Sequence, residues 1–448
     1  MKLLPHPRTW PWYALAASLL ICFGVWHWAK VFAAPAYTAQ ALAGGRPIGN
    51  NSDLYPYWLG TRELLLHHRD PYSSDVTQEI QAGFYGRPLD PQKPSDPKDQ
   101  EAFSYPLYVI FMLAPTVTLP FRTVQETVRW LLLLAIGCTV PLWMYAIGFR
   151  PRRLLVVSGM LLAVGSFPAV QEFYMQNLTA LVLLFLAAAA AATVRGWLLL
   201  SGFLLALSTI KPQLSGLFVF FFVLWSTAQW AKRQRLFWSF VVTLVALVLA
   251  AEKVSYGWIA RFLTLVRAYM IYAADPPILR ALLPAWLAAA VGAALIGFLM
   301  LCCWRWRKAF AGSDHFGWAL AWVATVTLAL IPKLAAYSQP LLIPAWLVLL
   351  AHRETIWKEG LIPRALVKSA FACQIWQWAA ALMLSLCSLL IPPARLRAAA
   401  EIPMYTSLAS WPITLLAVVI ATLSLRHVSR QIPPASLPHS ALAVDPNQ

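Results

Sequence analysis

Apolar stretches recur twelve times along this chain, and they constrain it more than any other feature. They lie at 12–33, 127–147, 154–170, 178–194, 196–212, 213–230, 236–251, 282–303, 316–332, 335–351, 369–391 and 408–425. A helix needs roughly 20 predominantly apolar residues to cross a bilayer. In lipid the backbone must satisfy its own hydrogen bonds, so runs of this length form helices. The sequence predicts an all-α polytopic membrane protein of about twelve transmembrane helices, one integral membrane domain over 1–448. Only 12% of its residues are charged and 60% are hydrophobic, against roughly 25% charged in soluble domains. All six cysteines fall inside apolar runs, which predicts neither a disulfide framework nor a metal cluster.

The formal net charge is +17, which in a soluble chain would direct attention to nucleic acid. Here the cations stand in short clusters between apolar runs: Arg150-Pro-Arg-Arg153, Lys232-Arg-Gln-Arg235 and Arg305-Trp-Arg-Lys308. Such clusters mark cytoplasmic loops, and no nucleic-acid partner is expected. With the N-terminus inside, inner segments hold 18 Lys/Arg and 4 Asp/Glu, and outer segments hold 17 and 14. Nine of the outer cations belong to one long segment, and long segments translocate largely regardless of charge. Both termini are therefore expected in the cytoplasm. The first span follows Lys2 and Arg8 and ends near Ala33-Ala34-Pro-Ala36. Its apolar part exceeds the 7 to 15 residues of a cleavable signal's core, which predicts an uncleaved anchor.

Residues 34–126 form the large outer loop in this topology. Within it, Tyr85 to Gln100 is rich in Pro, Asp and Lys and reads as solvated. The apolar stretch Tyr105 to Phe121 contains Pro106, Pro115 and Pro120. Counting it as a span would invert every later basic cluster, so it is expected to be a re-entrant or interfacial segment. The remaining spans occupy 127–425, and the tail 426–448 is expected to be cytoplasmic and disordered. No internal repeat is evident.

No Asp, Glu, Lys or Arg falls in the middle of a predicted span, whereas ion-coupled transporters carry ionisable groups there. Polar residues gather instead at predicted outer ends: Asp53, Arg62, Gln176-Asn177, Lys211-Pro-Gln213, Arg261, Arg267, Asp275 and Lys333. Asp53 precedes a short amphipathic stretch reaching His68, where a carboxylate would cap the helix N-terminus. Cap and chemical base are compatible roles for it. Asp70-Pro-Tyr72 reads as the turn that ends this helix. Lys211 is either a ligand for a lipid phosphate or a snorkelling cation; Arg62 is its rival or a solvated surface residue. Gln176-Asn177 is either a sugar contact or a polar span end.

In order and spacing, Asn51-Ser-Asp-Leu-Tyr-Pro-Tyr-Trp58 with Arg62, Asp70-Pro-Tyr72, Phe103-Ser-Tyr-Pro106 with Leu119-Pro120, Gln176-Asn177 and Lys211-Pro-Gln213 resemble the polytopic GT-C glycosyltransferases. They most resemble bacterial glycosyltransferase family 87, the alpha-mannosyltransferase-like group. The likeness covers roughly residues 50 to 215; beyond, it is one of hydropathy. Over Ile331 to Gln339, where similar proteins often have a His or Asp, this chain has Lys333 and Ser338. The resemblance implies a GT-C fold in a bacterial plasma membrane with its active site facing outward. It also implies a donor sugar, mannose by default, on a polyprenyl phosphate, and inverting transfer to a hydroxyl of a glycolipid or glycan. Asp53 matches the first-loop aspartate that serves as general base. Arg62, Tyr105, Gln176, Asn177, Lys211 and Gln213 would contact the donor's phosphate or sugar.

The chemistry agrees with the residue types. Transfer from a sugar phosphate needs a base on the acceptor side and cations where charge develops on the departing phosphate. No metal or other cofactor is expected, because a lipid monophosphate carries less charge than a nucleotide diphosphate. There is no Gly-rich phosphate loop. The alternatives are a transporter or flippase of lipid-linked saccharides and a non-catalytic membrane scaffold.

Overall fold

The computed structural model describes residues 9–43, 52–90, 92–93, 96–97, 100–272, 278–331 and 335–431. Asp275, Lys333 and the tail beyond Gln431 lie outside them. Helix α1 (Trp10–Trp28) passes through a π-helical turn at Ala29–Ala33 into α2 (Ala34–Ala43). The hydrophilic segment carries α3 (Tyr55–His67), α4 (Ser74–Tyr85) and a run of short helical pieces that includes α5 (Ile110–Leu113). Then follow α6 (Phe121–Ala146), α7 (Arg153–Val164), α8 (Phe167–Met175), α9 (Thr179–Arg195), α10 (Leu198–Ser208), α11 (Pro212–Thr227) and α12 (Trp230–Val254). The second half comprises α13 (Trp258–Tyr272), α14 (Ile278–Leu282), α15 (Ala285–Trp306), α16 (Asp314–Leu330) and a 3-10 helix at Ala336–Leu342. It ends with α17 (Ile343–Ala351), α18 (Arg353–Lys358), α19 (Leu361–Cys387), α20 (Pro393–Leu396) and α21 (Ile402–Gln431). No strand occurs among the described residues.

All twelve expected apolar stretches contain helix, but by length and composition five helices can cross a membrane: Trp10–Ala39, Phe121–Ala146, Trp230–Val254, Ala285–Trp306 and Leu361–Cys387. The pair α7 and α8, bent by 55° at its break, has the length and composition of either a broken span or a re-entrant loop. Several other apolar helices, Thr179–Arg195 and Pro212–Thr227 among them, have only 10–17 residues. The stretch 196–212, for example, holds only the 11 residues of α10, about 17 Å at 1.5 Å per residue. The outward faces of the long helices are apolar: Trp12, Phe23, Trp130, Leu134, Val242 and Leu249 are all exposed. A water-soluble surface does not leave such stripes uncovered, and the molecule is a helical membrane protein.

The prolines divide the stretch Tyr105 to Phe121 as expected. Pro106, Pro115 and Pro120 each stand at the start of a new helical piece, because a proline lacks the N–H that a helix interior needs. This stretch is well packed, with Leu107, Val109 and Ile110 fully buried. It lies close to α3: a Cβ at Gly60 would overlap the Phe103 ring. At the other junction, Ser166 Oγ caps α8 by accepting the N–H of Ala169 at 3.4 Å, and Pro168 stands in its first turn. The tail is more ordered than expected at its start, since α21 continues to Gln431.

Helix direction sorts the charges. From Asn177, α9 runs to Arg195, α10 returns from Leu198 to Ser208, and α11 leaves again from Lys211. Asn177 and Lys211 therefore share one end of the bundle. At the other end Arg233 stacks 3.6 Å over Trp225 and donates to the carbonyls of Trp225, Arg307 and Ala309, each at 2.9 Å. The basic clusters thus gather away from the end that holds Asp53.

Candidate functional site

Interhelical junctions, not helix middles, build the site. The backbone N–H of Asp53 donates to the Met175 carbonyl at 2.7 Å, fixing the residue ahead of α3 to the end of α8. Helix α8 stops there because Gln176 adopts a left-handed backbone, φ 46°, a common helix termination. Asn177 and Thr179 then open α9, while Pro212, pre-set for a first helical turn, starts α11 just after Lys211.

Asp53 was expected as the helix cap and is not. The residue flanking α3 is Leu54, with no side-chain cap bond, and Ser52 Oγ accepts the Leu54 N–H at 3.2 Å. The Asp53 carboxylate is turned to the next element: its Oδ2 accepts from Asn177 Nδ2 at 2.7 Å. The same Nδ2 donates to Tyr337 Oη at 3.2 Å. Asn177 Oδ1 accepts from Lys211 Nζ, from the Thr179 N–H at 3.1 Å and from Thr179 Oγ1 at 2.8 Å. Lys211 is only 8% exposed, unusual for a lysine unless it is paired. Its Nζ also donates to Thr179 Oγ1 at 2.7 Å and lies 5.6 Å from the Tyr105 ring and 5.5 Å from the Tyr337 ring. Both faces favour a cation.

Asp53, Tyr105, Asn177, Lys211 and Gln213 line one cavity of about 370 Å³. Its lining includes Pro212, Gln213 and Leu214 at the start of α11, where the helix dipole favours an anion. Phe262 and Val266 of α13, with Ile210, Leu214 and Ile331, make it apolar elsewhere. Tyr72 steadies the wall: its hydroxyl donates to the Tyr105 carbonyl at 2.8 Å. Burial pushes the Tyr72 phenol above its ordinary value, which keeps it protonated as a donor.

Two predicted contacts do not reach the cavity. Arg62 lies five residues past the cavity-lining Tyr57, about 140° round the helix, and its guanidinium sits 5.5 Å over the Trp58 ring. Gln176 is fully buried. Its Nε2 donates back to the Phe173 carbonyl and its Oε1 accepts from Gln125 Nε2 at 3.1 Å, tying α8 to α6. The left-handed turn separates the adjacent pair, Gln176 facing the core and Asn177 the site.

Sequence reasoning missed Tyr57, Glu101 and Tyr337, which also line the cavity, and Glu172. Tyr337 lay in the stretch singled out for Lys333 and Ser338; Ser338 lines the cavity too. Glu101, with a left-handed φ of 43°, gave no signal at the end of a hydrophilic run. Glu172 is fully buried on α8, and neither carboxylate oxygen finds a hydrogen-bond partner among the described residues.

A carboxylate and a buried ammonium therefore share one amide in the wall of a cavity of mixed polar and apolar lining. That arrangement can accept a proton on one side and hold an anion on the other. No protein-family model matches this chain, and no curated protein or solved structure matches it.

Proposed function

We propose that this chain is an inverting glycosyltransferase of the GT-C type, akin to family 87. It moves a sugar, mannose first among candidates, from a polyprenyl phosphate to a hydroxyl of a glycolipid or glycan. The observation that carries this reading is the Asp53–Asn177–Lys211 arrangement in a cavity among apolar helices.

In this reaction Asp53 takes the proton of the acceptor hydroxyl as that oxygen bonds to the anomeric carbon. The bond from that carbon to the phosphate oxygen breaks on the opposite face, and its electron pair leaves with the lipid phosphate. Lys211 and the start of α11 stabilise the charge that develops there, the kind of effect that usually supplies the largest share of catalysis. Gln213 and Tyr105 line the donor's path. A twelve-span arrangement in a bacterial plasma membrane, both termini cytoplasmic and the site outside, accompanies this reading. The separation of the basic clusters from the Asp53 end supports it.

The test is a donor panel with purified protein and a membrane-lipid extract as acceptor: polyprenyl-phosphate mannose, polyprenyl-phosphate arabinose, a polyprenyl-diphosphate sugar and a nucleotide sugar. Transfer from a polyprenyl monophosphate alone is the expected result. Transfer from the nucleotide sugar, or from none while labelled lipid-linked saccharide crosses the bilayer of proteoliposomes, contradicts the proposal; the second outcome favours a flippase.

A further inference from the structure

Opposite charges in an apolar cavity ordinarily close on one another, since each lowers the cost of burying the other. Between Asp53 and Lys211 stands a neutral amide. Its orientation follows from its neighbours. The Thr179 N–H and the Lys211 ammonium can only donate, so Asn177 Oδ1 faces them, and Nδ2 is left for the Asp53 carboxylate and Tyr337 Oη. The reversed amide would set an NH2 group against an ammonium and an oxygen against a carboxylate. Contacts from five residues determine this one rotamer, counting the Tyr105 hydroxyl that reaches Oδ1 at 3.5 Å.

We infer that Asn177 is a positioning residue that holds the base and the cation in place together. Its N–H supports the ionised Asp53 carboxylate, and its oxygen holds Lys211 beside the base without contact between the two charges. Asn177 does not bind the donor sugar, since both ends of its amide are engaged by the protein. This inference rests on the reading of Asp53 and Lys211 given above. An aspartate here would keep the oxygen that Lys211 and Thr179 use but replace the N–H facing Asp53 by a second carboxylate oxygen. Two carboxylates in such contact hold a proton between them and one titrates much higher. The other charged or titratable described groups around Asp53 are Lys211, Glu101, Tyr57, Tyr105 and Tyr337 in the cavity wall and Glu172 behind it. They are common to wild type and variant.

The experiment measures kcat, donor KM and the pH dependence of kcat for wild type, Asn177→Asp, Asn177→Ser and Asp53→Asn, with polyprenyl-phosphate mannose as donor. For Asn177→Asp, the acid limb of kcat moves up by about one pH unit or more, so that kcat at a pH on that limb falls about 10-fold or more, and donor KM changes less than about 3-fold. Activity returns as pH rises above the shifted limb. Asn177→Ser, which loses the N–H but adds no charge, moves the limb in the same direction by less and carries the test if the Asp variant does not fold. An acid limb unmoved in the folded variants overturns the inference, whatever happens to kcat. Wild-type turnover by Asp53→Asn instead overturns the base reading on which it rests.

Discussion

Asp70 Oδ2 lies 2.9 Å from Arg261 Nε, and this ion pair joins the turn after α3 to the helix that walls the cavity. Arg261 also donates to Ser255 Oγ at 2.7 Å. The next residue, Phe262, packs against Tyr72 at 6.2 Å between ring centroids and faces the cavity. Asp70 thus does more than end a helix, although its Oδ1 does accept the Tyr72 N–H at 3.1 Å. Both partners of the ion pair are about one-third exposed, and such pairs contribute about 0–1 kcal/mol. Asp70→Asn is therefore expected to leave the melting temperature within about 3 °C while hydrogen exchange over Trp258–Tyr272 accelerates. Unchanged exchange would show that packing alone holds α13.

Lys211→Met keeps most of the side chain's volume and removes its charge. Asn177 Oδ1 and Thr179 Oγ1 remain bonded to one another, so the variant leaves no orphaned polar group in that pair. The ammonium also offsets the Asp53 carboxylate, and removing one of two buried opposite charges destabilises. Sugar transfer is expected to fall about 10² to 10³-fold in the fraction that stays folded, with melting lowered. Transfer per folded molecule equal to wild type would mark Lys211 as structural only.

Arg62→Ala tests the opposite expectation. Its contact with Trp58 is on the side of α3 turned from the cavity, and a cation–π pair near the surface contributes about 0.5–1 kcal/mol. Transfer kinetics should stay within about 2-fold of wild type. Donor affinity weakened by about an order of magnitude would return Arg62 to the phosphate site.

Asp96 accepts two bonds from Arg87, at 2.6 and 2.8 Å, and one from the Asp90 N–H at 2.9 Å. The Arg87 guanidinium, foremost, holds its carboxyl well below the usual carboxylate range. A depressed native value means that this group stabilises the fold above its unfolded pKa, near about 3.9, and ceases to as pH falls through that value toward the native one. Protection of the Asp90 amide against hydrogen exchange, corrected for intrinsic rates, is expected to decline below about pH 4. In Asp96→Asn it should be low already at pH 7. Protection independent of pH from 7 to 2 would contradict this.

Much of the site was legible because it is carried by polar residues interrupting apolar runs, a signal that needs no tertiary knowledge. Asp53, Asn177 and Lys211 were visible in this way, as was the division of Tyr105 to Phe121 by its prolines. What stayed hidden depends on local backbone direction. The left-handed turn at Gln176 decides which of two adjacent amides faces the cavity, and no spacing rule encodes it. Arg62 is close to Asp53 in sequence, but its guanidinium lies over the Trp58 ring rather than in the cavity lining. The lengths of the later helices were not legible either: an apolar stretch does not show where its helix begins and ends, and α10 takes up only 11 residues of the stretch 196–212. Glu101 and Tyr337 join the site only through tertiary packing.

The central claim is that Asp53 takes a proton from an acceptor hydroxyl, and one comparison tests it most directly. Purified wild type and Asp53→Asn are given polyprenyl-phosphate mannose and a membrane-lipid extract, and mannosyl product is measured at equal amounts of folded protein. The account predicts transfer by the wild type and at least about 100-fold less by the variant, the low end of what a general base contributes. Equal transfer by the two proteins would contradict it.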